Sequence, residues 1–136
     1  MLPAKVLEAQ NLCLKVNVEI PKPIDLRHID TLDFIRIMTI LLDNAIEAAI
    51  ESRDKEVSLA FLDEKDKVVI VIKNTTKQKR VSYQNIFNKG ISSKGYGRGI
   101  GLSSVSEILD RYSYITITTT SYNFSFTQII EIKKLG

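Results

Sequence analysis

One asparagine and one run of glycines carry the clearest chemical meaning in this sequence. Asn44 falls inside a helical stripe in which Ile37, Leu41, Ala45 and Ala48 recur at a spacing of three to four residues, widened by Met38, Leu42 and Ala49. A buried amide without partners costs about 1–3 kcal/mol. The Asn44 amide must therefore bond to backbone, water, a ligand or a hydrated ion. Asp43 and Glu47 flank it with acids. A satisfied core amide is the competing role for Asn44 taken alone. The glycines are more unusual. The chain has six, and five of them (Gly90, Gly95, Gly97, Gly99 and Gly101) lie between positions 90 and 101. They sit in Asn88-Lys89-Gly90-Ile91-Ser92-Ser93-Lys94-Gly95-Tyr96-Gly97-Arg98-Gly99-Ile100-Gly101-Leu102, which runs straight into a helical pattern. Glycine lets backbone amides approach an anion closely, and a helix N-terminus favours negative charge. Lys94 and Arg98 add positive charge to the same stretch. The segment fits a phosphate cradle better than a plain surface loop. It is not a P-loop, because G-x-x-x-x-G-K-[ST] is absent. It is not a dinucleotide fingerprint either, because Gly97-x-Gly99-x-Gly101 has the wrong spacing and no apolar strand precedes it.

These residues need elements to hold them. Residues 4–13 read as a short helix, and Leu14–Ile20 alternates as a half-buried strand ended by Pro21 and Pro23. Asp30 or Thr31 caps a long helix from about Leu32 to Ser52. Glu56–Leu62 and Lys67–Lys73 form a hairpin across Asp63-Glu64-Lys65-Asp66. Val81–Phe87 allows one or two helical turns, and 88–98 is a loop. Ile100–Arg111 is a helix. Tyr114–Thr120 and Phe124–Lys133 are closing strands around a Tyr122-Asn123 turn. The order α-β-α-β-β-loop-α-β-β predicts an α+β fold, a two-layer sandwich whose mixed, mostly antiparallel sheet is covered by helices on one face.

Composition bounds the function. The 136 residues are 44% hydrophobic and 26% charged, which is globular rather than disordered. The net charge of +3 is a weak argument for nucleic acid. The single cysteine, Cys13, excludes an internal disulfide framework and suits a reducing cytosol. No run of eighteen apolar residues is present to span a membrane.

The motifs together resemble the C-terminal ATP-binding catalytic domain of sensor histidine kinases, the GHKL group. They are most similar to the Gram-positive peptide-pheromone quorum-sensing sensors of the accessory-gene-regulator and competence type. Leu41-Leu42-Asp43-Asn44-Ala45-Ile46-Glu47-Ala48 looks like their N box. Ile86-Phe87-Asn88-Lys89-Gly90-Ile91-Ser92-Ser93-Lys94-Gly95 looks like their F box and lid. Gly97-Arg98-Gly99-Ile100-Gly101-Leu102 looks like their second glycine box. The resemblance implies ATP and Mg2+ as cofactors. Asn44 would hold the Mg2+ that bridges the phosphates. Gly97, Arg98, Gly99, Ile100, Gly101 and Leu102 would cover the phosphates, and Lys94 would neutralise charge from the lid. Asn74 falls where relatives place an aspartate that accepts from the adenine amino group. Residues 1–13 would be the tail of an upstream helical dimerisation domain or linker, and 14–136 the ATP-binding domain.

Three departures sharpen this expectation. Asn74 followed by Thr75-Thr76 replaces an aspartate and its glycines, so adenine would be bound without charge assistance. Ile40 stands where the hydrolysing relatives carry a catalytic glutamate, which argues against a dedicated ATPase. Glu47 replaces a basic residue common in other sensor kinases. Phosphoryl transfer also needs a nucleophile. The only histidine, His28, lies in a loop rather than a helix, so the expected acceptor is a histidine on a separate dimerisation domain of a homodimeric, membrane-bound sensor. A response regulator would lie downstream, and this domain would face the cytoplasm. The competing functions are a degenerate nucleotide scaffold and a basic protein- or nucleic-acid-binding module built on Lys77-Gln78-Lys79-Arg80, whose signature would be steeply salt-dependent binding.

Overall fold

The computed structural model describes residues 2–21, 26–80 and 98–134. The expected turns at 81–87, the loop up to Gly97, and Lys94 within it lie outside these residues. The chain opens with α1 (Leu2–Asn11), which closes when Cys13 takes a left-handed backbone (φ 64°) and the Leu14 amide returns to the Ala9 carbonyl at 3.1 Å. β1 (Lys15–Glu19) follows. The long helix α2 (Thr31–Ile50) starts at Asp30, whose carboxylate accepts from the amides of Leu32 (2.9 Å) and Asp33 (3.2 Å). β2 (Glu56–Asp63) and β3 (Lys67–Thr75) form the expected hairpin. α3 (Arg98–Leu109), β4 (Ile115–Tyr122) and β5 (Ser125–Lys133) complete the fold.

The five strands form one mixed sheet in the order β1-β2-β3-β5-β4. Only the β1–β2 pair is parallel. The β2–β3, β3–β5 and β4–β5 pairs are antiparallel. β3 is therefore central, and Val68, Ile70, Ile72 and Asn74 on its core face are all buried, with Val69 buried on the other face. Val57, Leu59 and Phe61 of β2, Ile70 and Ile72 of β3, and Ile130 and Ile132 of β5 point to one face. There they join Ile37, Met38, Leu41, Ala45 and Ala49 of α2 and Val105 and Ile108 of α3 in a single core cluster. This is the predicted two-layer α+β sandwich. Met38 and Leu41 are fully buried, each contributing about 1.5–3 kcal/mol by removal from water.

Most boundaries shift by one to three residues, and two of the shifts are informative. Arg98, assigned to the loop, is the first residue of α3. The β4–β5 turn is Asn123-Phe124 rather than Tyr122-Asn123, because Tyr122 pairs with Ser125 in the ladder. Both turn residues have positive φ (52° and 62°). This is the backbone a tight hairpin needs. Asparagine tolerates it well and phenylalanine poorly, so Phe124 carries no local cue to the turn.

Candidate functional site

The fold places Asn44 near the middle of α2, in the turn between the buried residues Leu41, Leu42, Ala45 and Ile46. It is half-buried, and its Nδ2 is screened from solvent. Glu47, one turn on, is exposed, while Asp43 is engaged by Lys5 of α1. Ile40 packs against the core as an apolar residue. It offers no proton-transfer group beside Asn44.

Asn74 is the last core-facing residue of β3 and is 2% exposed. Its Nδ2 donates to the Thr75 carbonyl at 3.0 Å. That bond sets the orientation of the amide and leaves Oδ1 as its acceptor end. Opposite it on β5 is Phe126.

The threonines that replace glycines after Asn74 carry structural loads that sequence reasoning missed. Thr75 Oγ1 accepts from the Glu56 amide (2.9 Å) and meets Ser52 Oγ (2.6 Å), just past the end of α2. Ser52 Oγ itself donates to Ala49 O (2.6 Å) and accepts from the Lys55 amide (3.0 Å), while the Thr75 hydroxyl also lies 3.4 Å from Glu56 O. Thr76 is buried. Its amide donates to Phe124 O (2.9 Å) and its hydroxyl to Gln78 O (2.6 Å). Phe124 N returns to Lys79 O (2.8 Å). The hairpin tip is thereby tied to the strand end beside Asn74. These groups border an open cavity of about 680 Å³ lined by Glu51–Asp54, Thr75–Lys77, Asn123 and Phe124. The cavity adjoins Asn74 in sequence but lies beyond the end of α2, some 12 Å along the helix axis from Asn44 at about 1.5 Å per residue. It is therefore distinct from the Asn44 turn.

Arg98–Leu102 open α3, so the amides of its first residues belong to a helix N-terminus, two residues earlier than the start expected at Ile100. Gly97 and Lys94 fall outside the described residues. The far end of α3 is clamped to the start of α2. Tyr112 Oη donates to Asp33 Oδ2 at 2.5 Å, and Arg111 Nη2 lies 3.0 Å from Asp33 Oδ1. The bond to Asp33, reinforced by burial, raises the Tyr112 phenol above its ordinary value. Tyr114 stacks edge-on against Tyr112 and donates to the carbonyl of His28. His28 sits in the turn before α2, as expected, and not in a helix.

Gln128 was also missed. It interrupts the buried positions Phe126, Ile130 and Ile132 of β5 and is 3% exposed. Its Nε2 makes no hydrogen bond among the described residues.

Asn44 on α2, Asn74 at the end of the central strand, and Gly99 and Gly101 at the start of α3 sit on a recognisable framework. The chain belongs to the GHKL domain family, whose model matches residues 29–133. The sensor protein CitS of Bacillus subtilis (strain 168) is 35% identical over 83 residues, a match that takes in 59% of this chain and 15% of CitS. The chain thus spans a small part of that relative's length. The catalytic domain of the histidine kinase ThkA, in a nucleotide-free form, superposes with a TM-score of 0.75 at 20% identity, covering 94% of this chain and 84% of that one. The Acinetobacter baumannii histidine kinase AdeS gives 0.71 at 15% identity, covering 99% of this chain and 66% of that one. The fold is that of histidine kinase catalytic domains.

Proposed function

We propose that this chain is the ATP-binding catalytic domain of a two-component sensor histidine kinase, presenting the γ-phosphate of Mg-ATP to a histidine on a separate dimerisation domain. The observation that carries this reading is the placement of Asn44 on α2 in a chain of the GHKL family. Asn74 at the end of β3 and the glycine-led start of α3 support it. The N-box and lid motifs favour a sensor of the peptide-pheromone type. CitS is itself a sensor protein, which favours a membrane-bound parent with this domain in the cytoplasm.

The donor chemistry suits Mg2+. Among the described residues no group of three or more His, Cys, Asp or Glu forms a metal cage. A magnesium ion carried by phosphates needs few protein ligands, because phosphate and water oxygens complete its octahedron. The Asn44 amide oxygen would be such a ligand. When bound, the metal and nucleotide supply charge neutralisation and the transferable phosphoryl group. The protein's own part is positioning. Asn74 Oδ1 accepts from the adenine amino group. In the same reading Gly97, Arg98, Gly99, Ile100, Gly101 and Leu102 would cover the phosphates through backbone amides, and Lys94 would add positive charge. With Ile40 at the position of a general base, water is not activated, so the phosphoryl group is retained for a histidine acceptor.

Calorimetric titration of Mg-ATP into wild type and Asn44→Ala tests this. Saturable binding to wild type and a loss of at least about tenfold in the variant, equivalent to one ligand interaction of about 1.4 kcal/mol, are expected. Unchanged affinity in Asn44→Ala would refute the metal role.

A further inference from the structure

α1 is fastened to the turn of α2 that carries Asn44. Lys5 Nζ hydrogen-bonds the carboxylate of Asp43, 38 residues away in sequence, and lies 3.5 Å from Glu8 Oε2. The pair is partly exposed, with the Asp43 side chain at 44%. The Lys5 side chain is 23% exposed. Lys5 lines an apolar crevice together with Val6, Ala9, Leu42 and Ile46, while its ammonium reaches Asp43. Ala9, one turn further along α1, is buried in the main core cluster. Asp43 holds the ammonium charged, its hydrogen bond outweighing the effect of burial.

The gripped residues, Leu42, Asp43 and Ile46, surround Asn44. Successive residues on a helix point about 100° apart. α1 therefore holds one side of the turn while Asn44 projects from another. We propose that Lys5 is a positioning residue: acting through Asp43, it fixes the 42–46 turn so that the Asn44 amide is set for a metal-bound nucleotide. This rests on the Mg-ATP function proposed above. A partly exposed ion pair contributes about 0–1 kcal/mol to stability. Ligand geometry is less forgiving, because a small misplacement of one oxygen donor degrades a site that demands near-ideal octahedral coordination. The effect of losing Lys5 should thus appear in metal-dependent binding more than in folding.

The test compares wild type with Lys5→Met, which keeps the stem, and Lys5→Arg, which keeps the charge. ATP is titrated calorimetrically in excess Mg2+ and again in EDTA, with thermal melting measured alongside. Lys5→Met should weaken Mg-ATP binding about fivefold while shifting metal-free ATP less than about twofold, and Lys5→Arg should restore most of the loss. Asp43→Asn should reproduce the selective loss with Lys5 intact, and it decides the matter if Lys5→Met fails to fold. Wild-type Mg-ATP affinity in a folded Lys5→Met, or equal losses with and without Mg2+, would overturn the positioning role while leaving the nucleotide function standing. A wild type that binds no Mg-ATP overturns both.

Discussion

Ser52 Oγ and Thr75 Oγ1 meet at 2.6 Å, joining the end of α2 to the end of β3. The two elements that carry Asn44 and Asn74 are thus locked together by a pair of hydroxyls. Each hydroxyl also serves backbone: Ser52 the Lys55 amide and Thr75 the Glu56 amide. Ser52→Ala and Thr75→Val should each lower unfolding free energy by about 1–2 kcal/mol. The double variant should lose less than the sum, because the pair shares one bond. Urea midpoints of the four proteins measure the coupling, and strict additivity would dissolve the proposed link.

Asn74 is buried with its Nδ2 committed to the Thr75 carbonyl. Asn74→Asp replaces that donor with a carboxylate facing a carbonyl, and should destabilise the unliganded domain by about 1–3 kcal/mol. The same change gives a charge-assisted acceptor for the adenine amino group and should tighten ATP about fivefold. Calorimetry with ATP and GTP reads the effect. A gain shared equally by GTP, which lacks the amino donor at that ring position, would contradict the adenine assignment.

The Tyr112–Asp33 contact makes an alkaline prediction. Its hydrogen bond raises the folded phenol above the ordinary 10.0. A raised acid favours its protonated form when folded. The contribution is therefore complete below pH about 10 and fades as pH climbs through the folded value. Tyr112→Phe should remove about 0.5–1.5 kcal/mol at pH 7 and flatten the alkaline decline. Melting curves from pH 7 to 11 compare the two, and parallel pH profiles would show that Tyr112 is not the titrating group.

Gln128 places an amide nitrogen among Phe126, Ile130 and Ile132 without a hydrogen bond among the described residues. Relieving an unsatisfied buried donor recovers about 1–3 kcal/mol. Gln128→Met, close in volume, should raise the urea midpoint without changing the slope. A lower midpoint would mean that the amide has a native partner.

Much of the framework was legible because its signals were local. The 3.6-residue stripe of α2, the capping Asp30, and the alternation of β2 and β5 each specify an element within a short window, and the observed ranges fall within a few residues. Asn44 stood out because a polar residue in an apolar stripe demands a reason, and its place on α2 was legible with it. What escaped depended on distant partners. Lys5 reads as an ordinary solvated cation until the fold brings Asp43 to it. Thr75 and Thr76 read as lost glycines until Ser52, Glu56 and Phe124 arrive at their hydroxyls and amides. Phe124 escaped because its left-handed backbone is imposed by hydrogen bonds to residues 76 and 79, against its own preference.

The strand order has one last consequence. β3 and β5 are hydrogen-bonded neighbours, yet residues 76–114 leave the sheet after one and return to it through β4. That excursion includes the glycine-led start of α3. Its two ends are held at opposite ends of β5, Thr75 beside Ser125 and Ile115 beside Ile132, and the ladder fixes them whatever the length between: doubling a loop costs only about 0.6 kcal/mol in closure entropy. Evolution can therefore lengthen, shorten or rewrite the segment between Thr76 and the α3 N-terminus without touching a rung of the ladder. Ligand preference and turnover in this architecture can diversify at a rate set by chemistry and not by the need to keep the chain folded.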